Sequence, residues 1–356
     1  MIALVAGEYP VKGYSSPWSS SGDVSSEMIY MFKKRHEIKS IYSKPAPPIP
    51  EILRFGICSA KVNDKLIVGN ANSLYLYNIP SSKWFPVNRS NQFSMSRTSM
   101  CNINSNTIIL VGGDGGRGDT VELIHLNKFS TEMTSYEDFS SIFSSNPNMC
   151  FENTQRSKCQ TKLPIKVAFN SLINLKENTV LLTGGNNMGA TSNRVFRGSL
   201  SPNGKNVLWK ELSPMNIARS NHMCFRLNDA VFVAGGYGSG SDKLSCSERY
   251  DETRNAWYKD VIYGSNSNEG DLDLPFPLVD ASVVIDNDQT FAALIGGTTE
   301  VMLYDTDESE DQAEHQGLED CPNTSIIIFT VRNGFERFQN FNLLSSRKQH
   351  ACLGIY

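Results

Sequence analysis

Five histidines, His36, His125, His222, His315 and His350, are all that this chain of 356 residues offers as imidazole metal ligands or proton shuttles. No two stand at a helical metal-binding spacing, and the eight cysteines include no Cys-x-x-Cys pair. Neither a zinc site nor a dithiol redox pair is therefore encoded locally. No Gly-x-Ser-x-Gly presents a nucleophilic serine. The densest carboxylate run, Asp305 to Asp320, holds eight acids and no Lys or Arg. Its spacing does not match an EF-hand calcium loop, so it reads as a solvated acidic segment. These residue types predict a non-enzyme, without catalytic residues, cofactor or metal.

Two further groups bear on partners and compartment. Cys150 and Cys159, nine apart in a polar stretch, would form a disulfide in an oxidising compartment, and Asn88-Arg-Ser and Asn323-Thr-Ser are glycosylation sequons. Asp114-Gly-Gly-Arg117-Gly-Asp119 contains Arg-Gly-Asp, an integrin-binding tripeptide if the chain is extracellular, although a turn explains its glycines equally well. The apolar runs are about five residues long, as in Ile2 to Ala6. That is too short for a bilayer span or the core of a signal peptide. A cytoplasmic location is thus placed ahead of an extracellular one. Thirty-three basic against 37 acidic side chains give a net charge of −4, which supplies no field for phosphate backbones and argues against nucleic acid as a partner.

The elements that must position these residues announce themselves by repetition. A buried-strand phrase ending in a glycine pair reads Thr107-Ile-Ile-Leu-Val-Gly112-Gly113, and returns before Gly184-Gly185, Gly235-Gly236 and Gly296-Gly297. Degenerate copies end at Gly69 and Gly7. The first glycines are separated by 62, 43, 72, 51 and 61 residues, a unit of about 45–50 with loop insertions. Glycine at these strand ends predicts positive φ or a close approach of two backbones. A basic residue opens a short strand upstream of most pairs, at Arg54, Arg97, Lys166 and Arg219, the last within Arg219-Ser-Asn-His222. Downstream come an aromatic and a tryptophan: Tyr77 and Trp84, Tyr250 and Trp257, and, across a longer hairpin, Phe196 and Trp209. Each unit is thus four strands, a to d, with Gly-Gly after b, the aromatic in c and Trp in d. Cys58, Cys101, Cys224 and Cys352 fall in strands a, as small buried hydrophobes.

Gly-Gly, the Tyr…Trp spacing and the upstream Arg-x-x-His resemble the kelch repeat, and the resemblance covers nearly the whole chain. It implies an all-β, six-bladed propeller like the central propeller of galactose oxidase, without the oxidase copper site. That site needs two Tyr, two His and a Tyr joined to Cys. Here His222 and His350 are expected to be structural, with ring nitrogens satisfied by a nearby Arg and carbonyls, and the other histidines are scattered. A single domain over 1–356 is expected, with blades starting near 54, 97, 166, 219 and 278. Blade one would be shared between 1–43 and 347–356, because the chain opens in a strand b and ends in a strand a, Arg347 to Tyr356. In the last blade, Ser325 to Val331 and Phe335 to Phe341 flank Asn333-Gly334 and are assigned to c and d, with Val301 to Asp305 an extension before an insertion.

The kelch resemblance also implies that b–c and d–a loops line a face that holds partner peptides. The b–c loops are Asn70 to Ser73, Asp114 to Asp119, Asn186 to Asn193 and Tyr237 to Ser245. They nominate Arg117, Asp119, Asn186, Asn187, Tyr237 and Lys243 as partner-binding. The expected function is a protein-interaction scaffold or adaptor, standing alone or as a piece of a longer protein. The alternative is a secreted propeller acting in adhesion or glycan binding, or an enzyme on the same fold.

Overall fold

The computed structural model describes residues 2–8, 24–34, 37–46, 58–62, 65–69, 73–78, 83–89, 97–114, 118–126, 154–259, 273–286, 288–304, 315–323, 325–331, 333–338 and 348–355. Every regular element among them is a β-strand, arranged as a β-propeller. The chain opens with β1 (Ile2–Glu8), β2 (Val24–Lys34) and β3 (Glu37–Ala46). A first blade follows in β4 (Cys58–Val62), β5 (Lys65–Gly69), β6 (Ser73–Asn78) and β7 (Lys83–Arg89). The next comprises β8 (Ser99–Asn104), β9 (Thr107–Val111), β10 (Val121–Leu126) and β11 (Thr154–Lys158).

The third is β12 (Ser171–Lys176), β13 (Thr179–Thr183), β16 (Val195–Leu200) and β17 (Val207–Leu212), with a small hairpin, β14 (Asn186–Asn187) and β15 (Ala190–Thr191), in its b–c connection. The fourth is β18 (Met223–Leu227), β19 (Ala230–Ala234), β20 (Ser247–Asp251) and β21 (Ala256–Tyr258). The fifth is β22 (Ser282–Ile285), β23 (Ala292–Ile295), β26 (Ile326–Thr330) and β27 (Gly334–Arg337). Its b–c connection is a longer ribbon, β24 (Thr298–Tyr304) and β25 (His315–Pro322). The last strand, β28 (Lys348–Ile355), pairs antiparallel with β1, from Ile2↔Ile355 to Ala6↔Ala351.

Against the expected six, five blades are each built from one continuous stretch of chain. The remaining four-stranded sheet, β28-β1-β2-β3, draws on both chain ends, so no set of consecutive hairpins fixes its place. The assignment of β26 and β27 as the c and d strands agrees with their pairing, Thr330↔Gly334 included. Two segments differ from the sequence reading. Thr154–Lys158, placed in a polar excursion, is a d strand on β10, and part of the acidic run forms β25.

The core lies between blades. β9 and β13 are buried at every position because each has a neighbouring blade on both faces. Cys101, Ile109, Val111 and Leu123 of one blade pack with Leu172, Val180 and Phe196 of the next, and Phe225, Phe232, Phe329 and Phe335 stack at a later joint. The glycine pair serves this joint. Gly235 has φ +61°, and a Cβ there would sit 2.2 Å from the Leu278 carbonyl oxygen of the next blade. Gly236 N–H donates to that same oxygen at 2.9 Å, and Gly185 does likewise to Arg219 O at 2.9 Å. Both expected causes, positive φ and close backbone approach, therefore act together.

The aromatic–Trp spacing is a cross-strand pair. Tyr77 faces Trp84 and Tyr250 faces Trp257, each with ring centroids 4.9 Å apart. Trp209 departs from expectation: it faces Gly198, not Phe196, and its ring covers the space a Cβ at Gly198 would fill. A glycine opposite leaves room for the whole indole.

Candidate functional site

The a strands β4, β8, β12, β18 and β22 stand side by side and line a central channel with a cavity of about 510 Å³. Each a strand begins opposite the end of its b strand, so the channel mouth at these starts shares a face with the b–c loops. Four residues mark that mouth at one repeated position, 14 to 16 residues before each glycine pair: Arg97, Phe169, Asn221 and Asp280. All four are non-glycine residues in the left-handed region, with φ of 62°, 55°, 54° and 56°. Such conformations cost of order 1 kcal/mol each and persist where the surroundings over-determine them. Here the backbone does so: Phe169 N–H donates to Arg97 O at 3.4 Å, Asn221 N–H to Phe169 O at 2.9 Å, and Asp280 N–H to Asn221 O at 3.0 Å. This stitches four consecutive blades along the rim. The near-constant spacing was the signal in the sequence that would have found them.

Side chains at the mouth are mutually engaged. The Arg97 guanidinium lies over the Phe169 ring at 4.4 Å and donates to Asp114 at 2.8 Å, and Asn221 Nδ2 donates to Asp280 Oδ1 at 2.6 Å. The next residues, Asn170 and His222, are buried. His222 Nε2 meets Thr183 Oγ1 at 2.8 Å, whereas Nδ1 has no hydrogen-bond partner among the described residues. The structural role expected of His222 is thus filled by a threonine hydroxyl of the preceding blade rather than by arginine and carbonyls. Burial, with Arg219 nearby, holds its pKa well below the ordinary histidine value, so it is neutral. Both amide atoms of Asn170 are likewise without partners among the described residues.

The Arg of Arg-x-x-His has a different task. Arg219 is fully buried, donating Nη1 to Gly235 O at 2.8 Å and to Cys246 O at 3.1 Å, and Nη2 to Glu248 at 3.0 Å. Glu248 also accepts from Asn216 N, Asn216 Nδ2 and Ile217 N at 2.7 to 3.0 Å. A buried Glu122–Arg156 pair at 2.6 Å plays the same part in the β8–β11 blade and explains why the polar segment 154–158 is a strand.

The residues nominated from the sequence are scattered over the b–c connections. Arg117 lies outside the described residues. Asp119 is paired with Lys162 at 2.7 Å, which holds its carboxyl below the usual range. Asn186 Oδ1 accepts the Gly189 N–H at 2.7 Å and shapes the β14–β15 turn, and Asn187 pairs with Ala190. Tyr237 bridges Ser220 and Lys243 through its backbone. Lys243, expected to offer its charge to a partner, instead has a side chain only 3% exposed and contacts Glu300 of β24 at 2.8 Å. Thr191 Oγ1 donates to Gly238 O at 3.2 Å. The β14–β15 hairpin, the 237–245 loop and the β24–β25 ribbon therefore join into a continuous arc beside the channel mouth. The tip of that arc was missed: Met188 has φ 51° and is 91% exposed. Asn-Met-Gly between paired residues was the available signal.

Among the described residues no three His, Cys, Asp or Glu side chains are grouped to hold a metal ion, and no helix is long and apolar enough to cross a membrane. Cys58 and Cys224 are buried with thiols pushed up to about 12, and Cys101 is raised further. None of these is a nucleophile at neutral pH. Cys159 is buried, with its thiol pushed to about 11, and its candidate partner Cys150 lies outside the described residues.

Neither protein-family models nor curated protein sequences give a match. Among solved structures 325 chains match. One is the structure of YjhT, 14% identical, aligned over 86% of this chain and 89% of that chain with a TM-score of 0.58. At that identity the likeness shows the propeller fold alone, and activity must be argued from the site.

Proposed function

We propose that the chain is a kelch-type propeller of six blades whose b–c face recruits a protein partner, as a non-catalytic scaffold or adaptor. Two observations support the sixth blade and ring closure. β28 lies against β22 on one side and β4 on the other, and Ile29 and Met31 of β2 pack with Val284, Phe291 and Ile326 of the β22–β27 blade. The observation that carries the functional reading is the arc. Three consecutive b–c connections rise on one face, are tied to one another, and end in an exposed methionine in a conformation that its residue type disfavours. Type I′ hairpin tips favour Asn or Gly, so Met188 sacrifices stability for something other than folding. Recognition built on rigidly held loops fits that pattern.

Affinity capture from native extract tests it. The wild-type chain is compared with Met188→Asn on the b–c face, with Arg117→Ala in the sequence between β9 and β10, and with Lys205→Ala on a c–d turn of the opposite face. A protein retained by wild type and Lys205→Ala, and lost from the b–c variants, supports the reading. Equal retention by all four, or loss confined to Lys205→Ala, refutes it.

A further inference from the structure

The β24–β25 ribbon is a two-stranded antiparallel sheet, paired from Thr298↔Pro322 to Tyr304↔His315, and no third strand joins it among the described residues. A lone hairpin is marginal in water, and each outer edge presents unpaired N–H and C=O groups. Among the described residues its base is anchored. Thr298 exchanges backbone hydrogen bonds with Val279 at 2.8 and 3.0 Å, Asn323 N–H donates to Gly297 O at 2.8 Å, and Lys243 grips Glu300.

The ribbon's charge is one-sided. Its register sets Glu300 opposite Asp320 and Val301 opposite Glu319. Like charges directly opposite each other are destabilising, and Lys243 contacts Glu300. The two strands contain three acids and no Lys or Arg, and the sequence joining them adds six acids and again no base. An edge with this composition repels other acidic segments and disfavours self-association. A basic strand would satisfy both the open hydrogen-bonding groups and the charge.

We infer that the ribbon accepts a third strand: an extended, basic segment of a partner protein adds to one of its open edges, with main-chain hydrogen bonds supplying affinity and Lys or Arg side chains supplying selectivity. This rests on the reading of the b–c face as the protein-binding face and names the partner's chemistry there.

The test uses the full chain and a phage-displayed library of random dodecapeptides. Selected peptides are synthesised, their affinity is measured by fluorescence anisotropy, and their footprint is mapped by hydrogen exchange. The expected winners alternate Lys or Arg with other residues and slow exchange within 298–304 or 315–322. They should weaken at least about tenfold toward the Glu319→Lys/Asp320→Lys variant, whose fold is checked by thermal melting. Winners that instead protect 186–193 or 237–245 overturn the ribbon site while leaving a protein-binding face. Winners without basic residues, indifferent to the charge reversal, overturn the proposed partner chemistry. A library that yields no saturable binder defeats both this inference and the protein-binding reading.

Discussion

Replacing Arg219 with Met removes a fully buried guanidinium while keeping a chain of similar length. Glu248, also fully buried, then loses its only cationic partner among the described residues, and the carbonyls of Gly235 and Cys246 lose their donor. Removing one member of a buried ion pair costs about 3–5 kcal/mol, because the survivor is left charged in a low dielectric. Three N–H donors remain on Glu248, from Asn216 and Ile217, which draws the figure down. The two orphaned carbonyls draw it back up by about 1 kcal/mol each. The internal comparison is Arg194→Met. Arg194 makes a two-pronged contact with Glu211 at 2.7 and 2.8 Å, but both side chains are roughly half exposed. Solvent screening limits that loss to about 1 kcal/mol or less.

Urea unfolding at pH 7, followed by tryptophan fluorescence and circular dichroism, should rank Arg219→Met far below Arg194→Met. Adding Glu248→Gln to Arg219→Met, which removes the stranded charge but keeps an acceptor for the N–H groups, should restore part of the loss. Arg219→Met within about 1 kcal/mol of wild type, or no better with Glu248→Gln than without it, would refute the assignment of this pair as the cross-link of its blade.

Other expectations follow from the same geometry. Gly235→Ala should cost more than about 3 kcal/mol, since a Cβ meets backbone at 2.2 Å, whereas Gly204→Ala, with similar φ (+68°) but open space, should cost about 1 kcal/mol; denaturation midpoints of the two variants decide this. For His222 the folded pKa lies below the unfolded value, so in the window between them the unfolded chain binds the extra proton and stability falls as pH drops through about 6.5. His222→Asn should flatten the stability profile between pH 6.5 and 5, and an unchanged slope would contradict a buried neutral imidazole. Met188→Asn should raise stability by roughly 0.5–1 kcal/mol by relieving the left-handed tip, and a lowered melting temperature would remove the argument from conformational cost.

What was legible in the sequence was local or periodic. The glycine pairs, the Tyr77–Trp84 and Tyr250–Trp257 pairs and the Asn333-Gly334 hairpin each act within a few strands, so their spacing carries their meaning. What was not legible depended on partners distant in sequence. Thr154–Lys158 is a strand because Arg156 finds buried Glu122, more than 30 residues away. His222 is satisfied by Thr183 of the preceding blade, and Lys243 turns inward to Glu300, 57 residues on. Among the loop residues nominated by type alone, Asp119, Asn186 and Lys243 thus proved to be structural ties. The αL positions at the channel mouth, Arg97, Phe169, Asn221 and Asp280, share no residue type, so only their spacing could have revealed them.

Whether the two chain ends meet decides the ring on which every blade joint and the shared loop face depend. In the β1–β28 register Val5 stands directly opposite Cys352. Directly opposed residues have Cα atoms about 4.5–5.5 Å apart, within reach of a disulfide. Val5→Cys, oxidised mildly in the folded state and mapped by mass spectrometry of non-reduced peptides, should give a cross-link joining positions 5 and 352 in nearly all molecules. A thiol at position 5 that alkylates freely and yields no such peptide would contradict closure of the propeller by its own ends.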